Sequence, residues 1–328
     1  MMSKYTKTGL LLAAMLASSA QAADWQDLFN GKDLSGWKQL RGEARYVIEG
    51  DQIVGYTVAG TPNSFLTTEK DYGDFILEYE LYVDPSMNSG VQIRSHINDK
   101  GVVYGYQIEV DPSPRRFSGG FYDEKRRGWL YPLSLNEKGR DAFENGTWNH
   151  YRVEAIGNSF QVFVNGIQTA AVVDDVDADG FIGLQVHSIR DESMEGRTVR
   201  WRTLRILTDD LEANRTPRDP EVEELSFLKN QLSDNEVRQG WRLLWDGKTT
   251  DGWRGAKLDE FPDWGWTIED GVLTVAETEG KESAGPGDIV TLDSFSNFEF
   301  RFEFKITEGA NSGIKYFVDP ELNKGEGS

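Results

Sequence analysis

The sequence predicts an all-β protein, an antiparallel two-sheet jelly-roll sandwich, on three observations. Short segments such as "DFILEYELYV", "YGYQIEV" and "VRWRTLRIL" alternate apolar and polar residues, the period of a strand whose side chains point to opposite faces in turn. Gly, Asn and Asp separate these segments, and Asn165-Gly166 stands between "SFQVFV" and "IQTAAV" as a two-residue hairpin turn would. Helical periodicity is nearly absent, so the apolar faces can be buried only by packing sheet on sheet.

In chain order, the first element is a leader. Lys4 and Lys7 precede an apolar run from Gly9 to Ala17, and Ala20-Gln21-Ala22 supplies small residues for cleavage. This predicts a signal peptide over 1–22 and a secreted or periplasmic protein. No other stretch approaches the ~18 apolar residues of a membrane span, so no membrane insertion is expected. The 328 residues contain no Cys, which leaves an exported domain to be held by its core alone. With 55 acidic and 35 basic residues the formal net charge is −20, a balance that repels polyanions and excludes nucleic acid as a partner. Ten Trp within a 12% aromatic content point to a neutral oligosaccharide stacked on rings, although large sandwiches use the same rings for packing.

The first sandwich domain covers 24–208, and a repeat follows it. "WQDLFNGKDLSGW" from Trp25 matches "WRLLWDGKTTDGW" from Trp241, and "YVIEGDQIV" from Tyr46 matches "WTIEDGVLT" from Trp266. "YGDFILEYEL" from Tyr72 then matches "FSNFEFRFEF" from Phe295, and Asn88-Ser89-Gly90-Val91 matches Asn311-Ser312-Gly313-Ile314. Blocks recurring in one order predict tandem copies, with 241–328 as the N-terminal half of a second sandwich. Such a half would leave strand edges open, so the expectation is a piece of a longer protein, or a half-domain completed by a partner. Residues 209–240 read as a partly helical linker, with one helix opening at Pro220 and a second capped by Ser233 and Glu236.

Alternation also sorts the polar residues. Gln92, Arg94 and His96 face away from Val91 and Ile93, Gln107, Glu109 and Asp111 face away from Ile108 and Val110, and Gln185 and His187 face away from Leu184 and Val186. If these strands share a sheet, one outer surface carries all of them. Any sandwich shows polar residues outward. Here two of the three His stand beside two carboxylates, and the usual Lys and Thr are missing. Residues 111–148 have little strand pattern, and so long an excursion reads as a lid or binding loop. It carries Arg115, Arg116, Tyr122, Asp123, Arg126, Arg127, Trp129 and Tyr131. Its charges could equally compensate one another on a bare surface loop.

No phosphate-binding Gly loop, zinc spacing or nucleophile elbow occurs, and the sequence requires no cofactor. Glu109, Asp111 and His187 are donor types that a divalent metal accepts, without a spacing that demands one. Paired carboxylates are also the equipment of glycoside hydrolysis.

"LFNGKDLSGW", "NSGVQIRS", "GYQIEVD", "SGGFYDEKRRGWL", "GTWNHYRVEAIGN", "VNGIQT" and "GFIGLQVHS" resemble the bacterial 3-keto-disaccharide hydrolase family, throughout 24–208 and again over 241–328. The resemblance implies a concanavalin A-like, laminin G-like sandwich related in fold to endo-β-glucanases. Those glucanases carry a third carboxylate just after the first two, where this sequence has Pro112-Ser113-Pro114. It also implies a 3-keto-glycoside substrate, produced by a separate sugar 3-dehydrogenase, and cleavage by loss of the C2 proton followed by elimination or hydrolysis. In that scheme Glu109 or His187 is the base, Arg127 or Arg94 polarises the ketone, and Asp123 or Asp111 assists the leaving group. Gln92, His96, Gln107, Tyr122, Trp129 and Gln185 complete the substrate-binding set. A non-catalytic carbohydrate-binding module and a conventional glucanase-like glycoside hydrolase are the competing readings.

Overall fold

Each alternating segment of the first domain forms a strand. The structure, a computed structural model, describes residues 23–277 and 287–319; the expected signal peptide lies outside the described residues. The first strands are β1 (Gln26–Asp27), β2 (Trp37–Leu40), β3 (Arg45–Glu49), β4 (Gln52–Tyr56) and β5 (Ser64–Thr68). Then come β6 (Phe75–Val83), β7 (Ser89–Ile97), β8 (Val103–Val110), β9 (Phe121–Glu124) and β10 (Gly128–Tyr131). β11 (Asn149–Ile156), β12 (Ser159–Val164), β13 (Ile167–Val173), β14 (Phe181–Val186) and β15 (Thr198–Leu207) complete the sandwich, with a short β16 (Leu225–Ser226) added later.

One sheet runs β16-β13-β12-β11-β6-β15-β4-β3, with β1 also on β15; the other runs β10-β9-β8-β7-β14-β5-β2. Every pairing between these strands is antiparallel except that of β16 with β13. Between the sheets lie Leu77, Tyr79 and Leu81 of β6, Ile108 and Val110 of β8, and Ile182, Leu184 and Val186 of β14, none more than 2% exposed. Tyr79 and Tyr151 stack at 5.0 Å in the same core. The Asn165-Gly166 turn forms as its residues dictate, both in the left-handed region at φ +49° and +80°, closing the β12–β13 hairpin with the twist that antiparallel strands need.

The structure departs from the sequence reading in two stretches. Residues 111–148 contain the β9–β10 hairpin, which extends the edge of the second sheet, and a one-turn helix α1 (Glu137–Arg140) whose first turn is capped by Asn136 Oδ1. Four-residue strands are too short to display a period. Residues 209–240 are a strap docked on the outer face of the first sheet. Thr216 N–H donates to Glu154 Oε1 at 2.9 Å and Asp219 N–H to Gln168 Oε1 at 2.7 Å, which is why Glu154 and Gln168 are buried although they point away from the core. α2 (Leu211–Asn214) and α3 (Asp234–Arg238) are single turns, the latter with the Ser233–Glu236 capping box. No helix opens at Pro220; Val222 N–H instead closes a turn on Asp219 O and buries the Val222 side chain.

Beyond the strap, β17 (Trp253–Gly255) pairs with β20 (Ile289–Thr291), and β18 (Trp266–Glu269) pairs with β19 (Val272–Val275).

Candidate active site

The outer face of the second sheet is organised in rows, because residues directly opposite in antiparallel strands share a face. One row crosses Leu40, Phe65, Gln185, Gly90 and Glu109. The next crosses Lys38, Thr67, Gly183, Gln92, Gln107, Tyr122 and Trp129. Past the other side of the first row, one residue beyond Ser64, Val186, Ser89 and Val110, the register brings Asn63, His187, Asn88 and Asp111 to the same end of the sheet.

Gln107 is the hub of these rows. Its Oε1 accepts from Gln92 Nε2 at 2.7 Å and Gln185 Nε2 at 2.9 Å, and its Nε2 donates to Glu109 Oε2 at 3.1 Å. Ser95 Oγ in turn donates to Gln92 Oε1 at 2.7 Å. Gly90 makes this possible: a Cβ there would sit 2.5 Å from Gln107 Cδ, so only a glycine lets the amide lie across β7. Asn88 Nδ2 donates to the other oxygen, Glu109 Oε1. Gln185 Oε1 is a buried acceptor without a partner.

Glu109 is 5% exposed and meets neutral amides rather than a cation. Burial therefore dominates and pushes its carboxyl up to about 7, against the smaller lowering by Asn88 and Gln107. Asp111 adds to the rise, and Arg115 opposes it. Asp111 itself is engaged: Oδ2 accepts from Arg115 Nε at 2.7 Å and Oδ1 from Ser113 N–H at 3.2 Å.

An aromatic wall stands beside Gln107. Trp129 meets Tyr122 edge-on at 5.1 Å and Phe117 at 5.1 Å, and the Arg115 guanidinium lies over both Phe117 and Trp129. On the opposite flank His187 Nδ1 lies 2.9 Å from the Ser188 carbonyl. A carbonyl only accepts, so that contact holds the proton on Nδ1 and leaves Nε2 as the ring's base. The register separates the Glu109 and His187 backbones by two strands and two residues, roughly 12 Å.

Four sequence-predicted residues are elsewhere. Arg94 sits in a register shift between Ile93 and His96 with φ +41°, and this bulge turns its side chain out of the row. Its guanidinium reaches Gly73 O at 2.8 Å, Gly157 O at 2.7 Å and Asp74 Oδ1 at 2.9 Å, tying loops together at one end of the sandwich. His96, past the same bulge, faces Asp177 Oδ1 at 3.5 Å. Asp123 pairs with Tyr106, not Gln107, so it points to the core side, where Arg126 and Arg127 hold it at 2.7 and 2.6 Å. Arg127 is spent on Asp123 and Asp174. Neither Asp123 nor Arg127 reaches the Glu109 row.

Sequence reasoning missed Asn88 and Arg115 as site residues. Asn88 was visible only as the first residue of a repeated block, and Arg115 as one of several loop cations. A metal does not fit the group: each Glu109 oxygen faces an amide N–H, and Asp111 faces a guanidinium and a backbone N–H. Among the described residues no three His, Asp or Glu are grouped to hold one.

The model of a family described as "3-keto-alpha-glucoside-1,2-lyase-like domain" matches residues 24–207 and 240–327. A 3-keto-disaccharide hydrolase of Bacteroides thetaiotaomicron is 39% identical over 87 residues, which span 26% of this chain and 30% of that protein. Among solved structures, carbohydrate-binding module CBM66 from Bacillus subtilis is 16% identical, with 52% of this chain and 95% of that chain covered at a TM-score of 0.37. A Bacillus subtilis protein of unknown function with a galectin-like fold is 8% identical, with 56% and 94% covered at a TM-score of 0.41. Matched by one family model over most of its length, the chain belongs to the family of 3-keto-alpha-glucoside-1,2-lyase-like domains, a carbohydrate-active, hydrolase-like family.

Proposed function

We infer that the first sandwich is an exported enzyme that cleaves the glycosidic bond of 3-keto-glycosides, with Glu109 as the base that removes the C2 proton. One observation carries the reading: a buried carboxyl, held by amides alone and raised to about 7, is half ionised at neutral pH and so suited both to take a proton and to return it. The C3 ketone makes the C2–H acidic. As Glu109 takes that proton, the electron pair moves toward C3 and the ketone oxygen becomes an enolate. Collapse of the enolate forms C1=C2 and expels the C1 substituent, which takes a proton from the site; addition of water at C1 then gives the 3-keto sugar.

The donor to the enolate oxygen is Arg115, the cation that bears electrostatically on Glu109. It replaces Arg94 and Arg127 in that role. Protonated Glu109 returns the proton to the leaving group, since Asp123 is enclosed and Asp111 is tied to Arg115. Gln185 Oε1 accepts from a sugar hydroxyl, and Trp129 and Tyr122 stack on the second sugar. A separate dehydrogenase supplies the oxidised substrate. Double displacement by a carboxylate pair is disfavoured because Asp111 is already engaged.

The second segment is read as the front half of another copy. Matching local structure supports this: Trp37 Nε1 bonds Leu28 O and Trp253 Nε1 bonds Leu244 O, while Glu69 N–H bonds Gly36 O and Leu292 N–H bonds Gly252 O.

The test is incubation of the whole chain with 3-keto-trehalose or 3-keto-lactose. Release of free sugar or an enone absorbance is expected. Binding to unoxidised glycan with no product would replace the enzyme with a carbohydrate-binding module.

A further inference from the structure

We propose that Asn88 is the positioning residue that follows the proton of Glu109, donating to Oε1 of the carboxylate and turning over to accept the O–H of the acid. Oε1 is then the oxygen that takes and returns the proton. The inference rests on reading Glu109 as a proton-transfer group.

The argument is one of hydrogen-bond supply. A carboxylate only accepts, and both oxygens of Glu109 face amide N–H groups. A protonated carboxyl has a donor of its own, and one of the two amides must then present oxygen instead of nitrogen. Gln107 cannot do so alone. Its Oε1 already accepts from Gln92 and Gln185, so reversing it sets N–H against N–H unless those two amides reverse with it. Gln92 is in turn bonded to the Ser95 hydroxyl, which would have to turn its proton to the Tyr106 carbonyl as well. Reversal on this side moves three amides together, each no more than 3% exposed. Asn88 is partly exposed, stands before the first residue of β7, and has its Nδ2 on Glu109. A 180° turn of its amide puts Oδ1 in the same place without disturbing a second partner. The asymmetry between a locked Gln107 and a free Asn88 puts the proton on Oε1.

Other groups bear on this carboxyl and stay unchanged in the test. Asp111 raises its titration, Arg115 lowers it, the Tyr122 and Tyr151 hydroxyls are coupled to it electrostatically, and His187 stands at the same end of the sheet.

The experiment is a titration of the Glu109 carboxyl by 13C NMR on the full chain labelled at glutamate carboxyls, with Glu109→Gln to assign the signal. Asn88→Ala removes the donor to the anion and the acceptor of the acid together, so its midpoint should move by less than that of Asn88→Asp. Asn88→Asp is nearly the same shape and as the anion can only accept, so it keeps the bond to the acid and loses the one to the carboxylate; its midpoint should rise by about one pH unit or more, a tenfold change in the ionisation constant. The wild-type Asn88 side-chain amide resonances should move with the same midpoint, while those of Gln107 keep their donor pattern. A midpoint unmoved or lowered in Asn88→Asp, or a reversal at Gln107, overturns the assignment. Because the titration needs no turnover, absence of activity on 3-keto-glycosides would overturn the reaction and leave this result standing.

Discussion

At the scale of the residue, Glu109 couples stability and function with opposite signs. Its carboxyl is raised from an ordinary 4.5 to about 7 by burial, so the folded state binds a proton that the unfolded chain has released. The stability associated with the neutral acid is fully present below about pH 4.5 and is lost as pH rises to about 7, a cost of roughly 3 kcal/mol at alkaline pH. Glu109→Gln should therefore unfold at a higher temperature than wild type at pH 8 and at nearly the same temperature at pH 4, read by thermal melts at both values. The same substitution should lower kcat on a 3-keto-glycoside at least ~100-fold, since it removes the base. In the wild type the acid limb of kcat/KM should fall near pH 7. A variant more stable and less active than its parent is the signature of a group kept for chemistry.

At the scale of the element, period-two alternation made the strand residues of the site legible and its edges obscure. Gln92, Gln107, Glu109 and Gln185 were readable because β7, β8 and β14 keep register through those positions. Arg94 and His96 were misplaced because a bulge intervenes, and a bulge leaves no mark in an apolar–polar pattern. Asp123 was misplaced because β9 is four residues long, too short for a phase. The strap escaped notice because its bonds to Glu154 and Gln168 run through backbone N–H groups, which any sequence supplies. Gly90 gives this scale its test. A methyl group there meets Gln107 Cδ on a face outside the core, so Gly90→Ala should displace the amide that holds Glu109. Its kcat should fall about tenfold or more, with a change in melting temperature of only a few degrees, measured on the same preparation.

At the scale of the whole molecule, the unit that folds should be larger than the repeat that defines it. The repeated blocks suggest a first domain ending near Thr208, yet the strap carries Val222 into the first domain's core cluster and packs Leu225 and Phe227 against it, while β16 joins the edge of the first sheet. Removing the strap takes those side chains away and uncovers the surface they pack on, together with Glu154, Gln161 and Gln168; the apolar part alone is worth about 3 kcal/mol. Every residue of the candidate site from Asn63 to Ser188 lies before the strap, and the described segment after Gly240 supplies none of them. A chain cut after Gly240 should therefore retain the turnover of the full chain and unfold in urea at nearly the same concentration as the sandwich of the full chain. A chain cut after Thr208 should unfold at a clearly lower urea concentration, with any loss of activity tracking the unfolded fraction. If the two truncations unfold together, the strap is a passive connector and the domain ends where the repeat does.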